Sequence, residues 1–168
     1  VTGERISAIA PELGPARGED EVDAEGLLIL PGAIDPHVHF DEPGFSHRED
    51  FLHGAMEAAK GGVTTVIDMP CTSLPPVTTA EAFHNKLGIV SKSAVVDFAF
   101  FGGVSGHTVQ DSLAGPAGKA GAMADLAGLG VVGFKCYFIS GMETFTRVSH
   151  DDFARIIAEA ARLGRPVL

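Results

Sequence analysis

From Ala33 onward the chain alternates short β-type runs with helical stretches, and no other feature of the sequence narrows the fold as far. A strand followed by a helix and a further strand pairs in parallel with its predecessor, so the rhythm predicts an α/β fold on a parallel sheet. Four such units are legible. Ala33 to Phe40 reads as the first strand, and the helix around Asp50 to Lys60 stops at Gly61-Gly62. Val63 to Met69, rich in β-branched residues, is the second strand, closed by Pro70. Thr78 with Glu81 has the pattern of a capping box, and behind it Phe83, Leu87 and Val90 share one helical face. The third strand, Ala94 to Phe101, ends at Gly102-Gly103, and Gly115 to Gly121 dilutes the helix that follows, although Met123, Leu126 and Leu129 keep a stripe. Val131 to Ile139 is the fourth strand. Ser149 with Asp152 caps the fourth helix, whose Phe153, Ile156, Ile157, Ala160 and Leu163 lie on one face before Gly164, and a fifth strand opens at Arg165-Pro166-Val167-Leu168.

A closed (β/α)8 barrel takes about 250 residues and eight strands. With 168 residues, this chain is expected to hold the N-terminal half of a TIM barrel over residues 33–168 and to come from a longer parent. Residues 1–32 read differently. Two apolar runs, Ile6 to Ala10 and Leu27 to Leu30, flank the Pro/Gly/acid-rich stretch from Pro11 to Gly26, which suggests part of a small N-terminal β domain.

Composition excludes several partners. The net charge of −10 comes from 22 acidic against 12 basic residues, without a basic cluster to track phosphates, so nucleic acid is not expected. Cys71 and Cys136 form no C-x-x-C pair or disulfide framework, which fits the reducing cytoplasm. Val1-Thr2-Gly3-Glu4-Arg5 does not resemble an export signal, and no apolar run approaches the roughly 18 residues of a membrane span.

The candidate chemistry sits on the strands. In Asp35-Pro36-His37-Val38-His39-Phe40, alternation turns Asp35, His37 and His39 to one face, and a rise of about 3.3 Å per residue brings two imidazoles within reach of one zinc-class ion. Two core histidines hydrogen-bonded to neighbours are the plain alternative. On the fourth strand Lys135 interrupts an apolar run, and an unpaired buried ammonium must be compensated. A salt bridge would do so. So would reaction of the neutral amine with carbon dioxide, giving a carbamate able to ligate metal. Asp68, at the end of the second strand, either orients a ligand or binds backbone.

Together, Asp35 to Phe40, Glu42-Pro43-Gly44, Gly61 to Pro70 and Gly133-Phe134-Lys135 resemble the dihydroorotase, allantoinase and hydantoinase group of the amidohydrolase superfamily, in order and at suitable spacing. The resemblance implies that His37 and His39 bind the more buried of two divalent ions, with zinc the expected metal, and that carboxylated Lys135 bridges the pair. It implies hydrolysis of a ring C–N bond in a cyclic amide by a metal-bridging hydroxide, in a homo-oligomeric parent. The remaining ligands, histidines on strands five and six and an aspartate on strand eight that serves as general base, would lie downstream, so no catalytic acid or base is assigned here and this chain alone is expected to be inactive.

Which ring is opened turns on three positions taken as substrate contacts. Asp41 stands where dihydroorotases carry an arginine and allantoinases an asparagine, and its carboxylate should repel an anionic substrate. Cys71 and Thr72 follow the allantoinase spacing of the second loop, and Phe101-Gly102-Gly103 and Ser140-Gly141 also look allantoinase-like. A cyclic ureide is therefore favoured over dihydroorotate and hydantoins. His47, His53, His84, His107 and His150 fall in loops or on helices and are given no role, and Cys136 should pack among the helices. The rival from another class is a non-catalytic barrel of the same family, serving as an assembly or interaction module.

Overall fold

The computed structural model describes residues 1–3, 5–14, 18, 20–113, 120–139 and 142–168. The chain divides into two compact units, Val1–Pro31 and Gly32–Leu168. In the first, Thr2 and Arg5 form an antiparallel bridge, whereas Ile6 to Ala10 and Leu27 to Leu30 form no strand and their large side chains are exposed. Apolar runs of this kind become strands only when a neighbour supplies hydrogen-bond partners.

The second unit follows the expected rhythm. Strand β1 (Ala33–Val38) is followed by helix α1 (Phe51–Lys60), β2 (Val63–Asp68), a 3-10 turn over Pro70–Thr72 and α2 (Ala80–Val90). Next come β3 (Asp97–Phe100), β4 (Gly102–Gly103), α3 (Val109–Ser112), α4 (Ala122–Gly128), β5 (Phe134–Lys135) and α5 (His150–Arg162). β1, β2 and β3 pair in parallel in that order, β4 pairs in parallel with β5, and Phe134 in turn bridges Val167. Only Phe101 separates β3 from β4, and its backbone N–H donates to the Asp68 carbonyl at 3.0 Å. The strand ends that carry candidate residues are thereby held side by side.

Local chemistry fixes the helices. The Asp50 side chain accepts the His53 backbone N–H and starts α1; Ser149 accepts from Asp152 N–H and starts α5, its own hydroxyl donating to the Asp152 carboxylate at 2.8 Å. At α2 the cap is Thr79, accepting from Ala82 N–H, and not Thr78. The two hydroxyl residues are neighbours, and the one with extended backbone just before the first turn takes the cap. β5 is shorter than the run from Val131 to Ile139 because β4 offers two residues to pair with. Ser140-Gly141 and most of Gly115 to Gly121 lie outside the described residues.

The core fills from both faces. Phe51, Val66, Val90, Phe100, Leu126, Phe134 and Ile156 are buried in one cluster, and Phe51 meets Phe40 and Phe98 edge-on. Gly54 lies so close to Phe40 that a Cβ would stand 2.5 Å from its ring. Close approach here seats α1 over the end of β1. No described helix is long and apolar enough to cross a membrane.

Candidate functional site

His37 on β1 and His39, just past its end, hold their rings with centroids 5.4 Å apart. The Asp35 carboxylate accepts the His37 backbone N–H at 3.1 Å, tying down the strand at this point. Three βα units later β5 carries Lys135, buried at 6% exposure, and its Nζ is hydrogen-bonded to His37 Nε2 at 3.0 Å. Among the described residues no carboxylate forms an ion pair with Lys135. Compensation by a salt bridge, one of the two readings of a lysine in this strand, does not occur there.

A second ring of contacts closes around the first. Alternation past Lys135 puts Tyr137 on the same side, its ring 5.2 Å from Nζ. The Tyr137 hydroxyl is hydrogen-bonded to Cys71 Sγ at 3.1 Å, and Phe145 packs edge-on to its ring. Gly103 accommodates Phe145, since a Cβ there would stand 2.5 Å from that ring. Thr72 Oγ1 lies 3.3 Å and Cys71 Sγ 3.9 Å from His39 Nδ1. Both contacts fall on Nδ1, which leaves Nε2 as the nitrogen available to a ligand.

Burial decides the protonation states. It pulls the Lys135 amine below its ordinary value. His39 is pushed down to about 4, first by burial, then by the positive charge of Lys135 and by His37. At neutral pH His39 is therefore an uncharged imidazole with a free lone pair. Burial, then the bond from Cys71, pushes the Tyr137 phenol up, so it keeps its proton. Cys136, raised to about 11 by burial, packs in the core as a small apolar residue.

Asp68 sits at the junction of these elements with no exposure. Its Oδ1 accepts the backbone N–H groups of Phe40 and Met69, each at 3.0 Å, and Oδ2 pairs with Lys86 Nζ at 2.5 Å. Burial raises the carboxyl pKa, against the opposing pull of Lys86 and both backbone donors. Of the two roles open to Asp68 in the sequence, it takes backbone binding. Asp41 is 3% exposed and forms an ion pair with Arg48 Nε at 3.1 Å, so the repulsion expected of its charge is partly cancelled.

Tyr137, Lys86 and Arg48 were not singled out by the sequence reading. Two of them leave a signal. Tyr137 shares a face with Lys135 by strand alternation, and Lys86 falls on the Phe83, Leu87, Val90 stripe of α2, where a charge is out of place. The other histidines stay apart: His53 pairs with Glu49 at 2.7 Å, His84 contacts the Ala80 carbonyl, and His150 stacks on Phe138.

Residues 28–163 match the amidohydrolase family. The chain belongs to this family. Among amidohydrolase relatives, an allantoinase of Rubrobacter xylanophilus is 46% identical over 97% of the chain and 34% of its own length. A dihydroorotase of Methanosarcina mazei is 35% identical over 95% of the chain and 32% of its own length. The L-hydantoinase of Arthrobacter aurescens superposes with a TM-score of 0.76 at 31% identity, covering 87% of this chain and 30% of that one. The chain thus spans about a third of the length of the curated relatives it matches, and its parallel βα units correspond to part of an amidohydrolase barrel.

Amidohydrolases are typically metal-dependent, so the donor set can be tested for fit. Among the described residues no group of three or more His, Cys, Asp or Glu side chains is by itself placed to hold a metal ion. What converges is two imidazoles and an amine of lowered pKa, with no competing ion pair. Imidazole nitrogen suits zinc-class ions, and an amine whose pKa burial lowers is suited to carboxylation, so the residues present fit one part of a metal centre.

Proposed function

We propose that the whole protein of which this chain is part is a cyclic amidohydrolase that opens the ring C–N bond of a cyclic ureide, allantoin being the leading candidate. The observation that carries the proposal is the 3.0 Å approach of Lys135 Nζ to His37 Nε2, beside His39, across three βα units. The preference for allantoin rests on the allantoinase-like spacing around Cys71 and Thr72 and on the 46% identity to the Rubrobacter xylanophilus allantoinase.

Each residue has a chemical part. His37 and His39 offer imidazole nitrogen ligands for the first of two divalent ions, zinc by preference. The Lys135 amine attacks carbon dioxide, a C–N bond forms, and a proton leaves to solvent. The resulting carbamate carries one negative charge on two oxygens, which suits a bridge between ions as a neutral imidazole does not. When bound, the ions supply Lewis acidity toward the ring carbonyl and lower the pKa of water. Thr72 and Cys71 set the His39 ring through Nδ1, and their burial makes that contact their main route to the substrate. Asp41 meets the substrate together with Arg48. The Tyr137 phenol, protonated at neutral pH, remains a hydrogen-bond donor at the wall.

The general base is assigned to an aspartate outside this chain, and the 168-residue chain alone is proposed to be inactive. Homo-oligomeric assembly and the cytoplasm, consistent with free Cys71 and Cys136, belong to the same proposal. The test is hydrolysis by the full-length protein of allantoin, dihydroorotate and hydantoins, each with and without chelator and bicarbonate. Ring opening of allantoin, abolished by chelator and restored by zinc with bicarbonate, is expected. No ring opening of any of the three under metal and bicarbonate would reject the reading.

A further inference from the structure

The Asp68–Lys86 pair is buried more completely than any other ion pair among the described residues, and none of its atoms belongs to the proposed ligand set. Burying two charges is unfavourable unless good geometry and further hydrogen bonds offset the loss of water, and a well-packed apolar pair often serves stability as well or better. What the carboxylate holds is more informative than its own stability. Phe40, whose N–H it accepts, directly follows His39. Met69, whose N–H it also accepts, opens the turn that carries Cys71 and Thr72, the two residues in contact with His39 Nδ1. One oxygen therefore joins the segment bearing an imidazole to the segment that orients the imidazole.

Lys86 completes the arrangement from the opposite side. Its ammonium forms an ion pair with Oδ2 and lies 5.5 Å from the Phe100 ring centroid, while Oδ1 is turned toward Phe40 and Met69. The Met69 N–H is shared with the Val38 carbonyl at 3.0 Å, whereas Phe40 N–H has Asp68 as its partner. The Phe40 bond is thus the one most specific to the carboxylate.

We propose that Asp68 and Lys86 are positioning residues for His39: the buried pair clamps the end of β1 to the turn after β2, setting the imidazole for ligand binding. This deepens the function proposed above and rests on it for the identity of the ligand. Partners that orient a metal-binding histidine typically change metal affinity by 10–100-fold.

The experiment compares two double variants of the full-length protein, each free of an orphaned charge. Asp68→Ala with Lys86→Met removes the clamp. Asp68→Asn with Lys86→Met keeps one carbonyl oxygen for Phe40 and Met69. Zinc affinity of the metal-free protein is measured by competition with a chelating dye, alongside kcat and KM. The expected result is zinc binding weakened roughly 10–100-fold in the alanine double variant, with kcat lowered more than KM, and most of the affinity recovered in the asparagine one. Wild-type affinity in a folded alanine double variant would overturn the proposal, as would an asparagine variant that recovers nothing. If neither variant folds, amide exchange at Phe40 in the wild type decides: protection equal to the interior of β2 supports the clamp, and rapid exchange rejects it. A wild type that binds no zinc sinks the zinc-dependent function proposed above instead, and Phe40 exchange then judges the clamp by itself.

Discussion

Two buried lysines meet opposite fates in this fold. Lys86, on α2, is 1% exposed and faces a carboxylate; Lys135, on β5, is 6% exposed and faces an imidazole. In the first region charge is answered by charge, and the ammonium is consumed in joining elements. In the second no carboxylate among the described residues forms an ion pair with the amine, and burial holds its pKa below the ordinary value. The contrast teaches that burial alone does not set the chemistry of a lysine. The partner does.

The comparison can be broken by substituting each lysine with methionine in the full-length protein. Lys86→Met leaves Asp68 buried and unpaired, and a loss of about 3–5 kcal/mol of stability in urea denaturation is expected. Lys135→Met should leave the urea midpoint nearly unchanged while lowering zinc affinity and ring opening by at least about 100-fold. Added short carboxylic acids should restore part of that activity. Equal destabilisation by the two substitutions would erase the distinction.

Smaller effects sharpen it. In the metal-free protein the His39 ring should titrate near pH 4 by NMR, well below the ordinary 6.5. Because the folded state holds this proton less tightly than the unfolded chain, the His39 contribution to stability is complete above pH 6.5 and is lost as pH falls toward 4. A midpoint at or above 6.5 would contradict the burial of the site. Ser149→Ala removes the α5 cap, away from both lysines, and should cost about 1 kcal/mol in thermal or urea unfolding. Lys60→Ala breaks an exposed pair with Glu57, and no resolvable change in the melting midpoint is expected.

Much of this was legible in the residues because the signals were local. Asp50 and Ser149 announce their helices through hydrogen bonds a few positions away, and Gly61-Gly62 and Gly164 end them. Strand alternation was enough to align His37 with His39. What escaped the sequence depends on partners distant along the chain. The length of β5 is set by β4, and the choice of Thr79 over Thr78 by backbone direction at the cap. Asp41 looked like a bare charge until Arg48 was seen beside it. Lys86 stood on an apolar stripe, but only the end of β2 explains why it is there.

The contact between Lys135 and His37 also bears on how such a protein should be handled. The amine sits 3.0 Å from the Nε2 nitrogen that a cation would need, so amine and cation are rivals for one seat. Dissolved gas would tip that rivalry by converting the amine to an anion. Metal-free protein given zinc in degassed buffer should load sluggishly, and the same protein given bicarbonate before zinc should load faster.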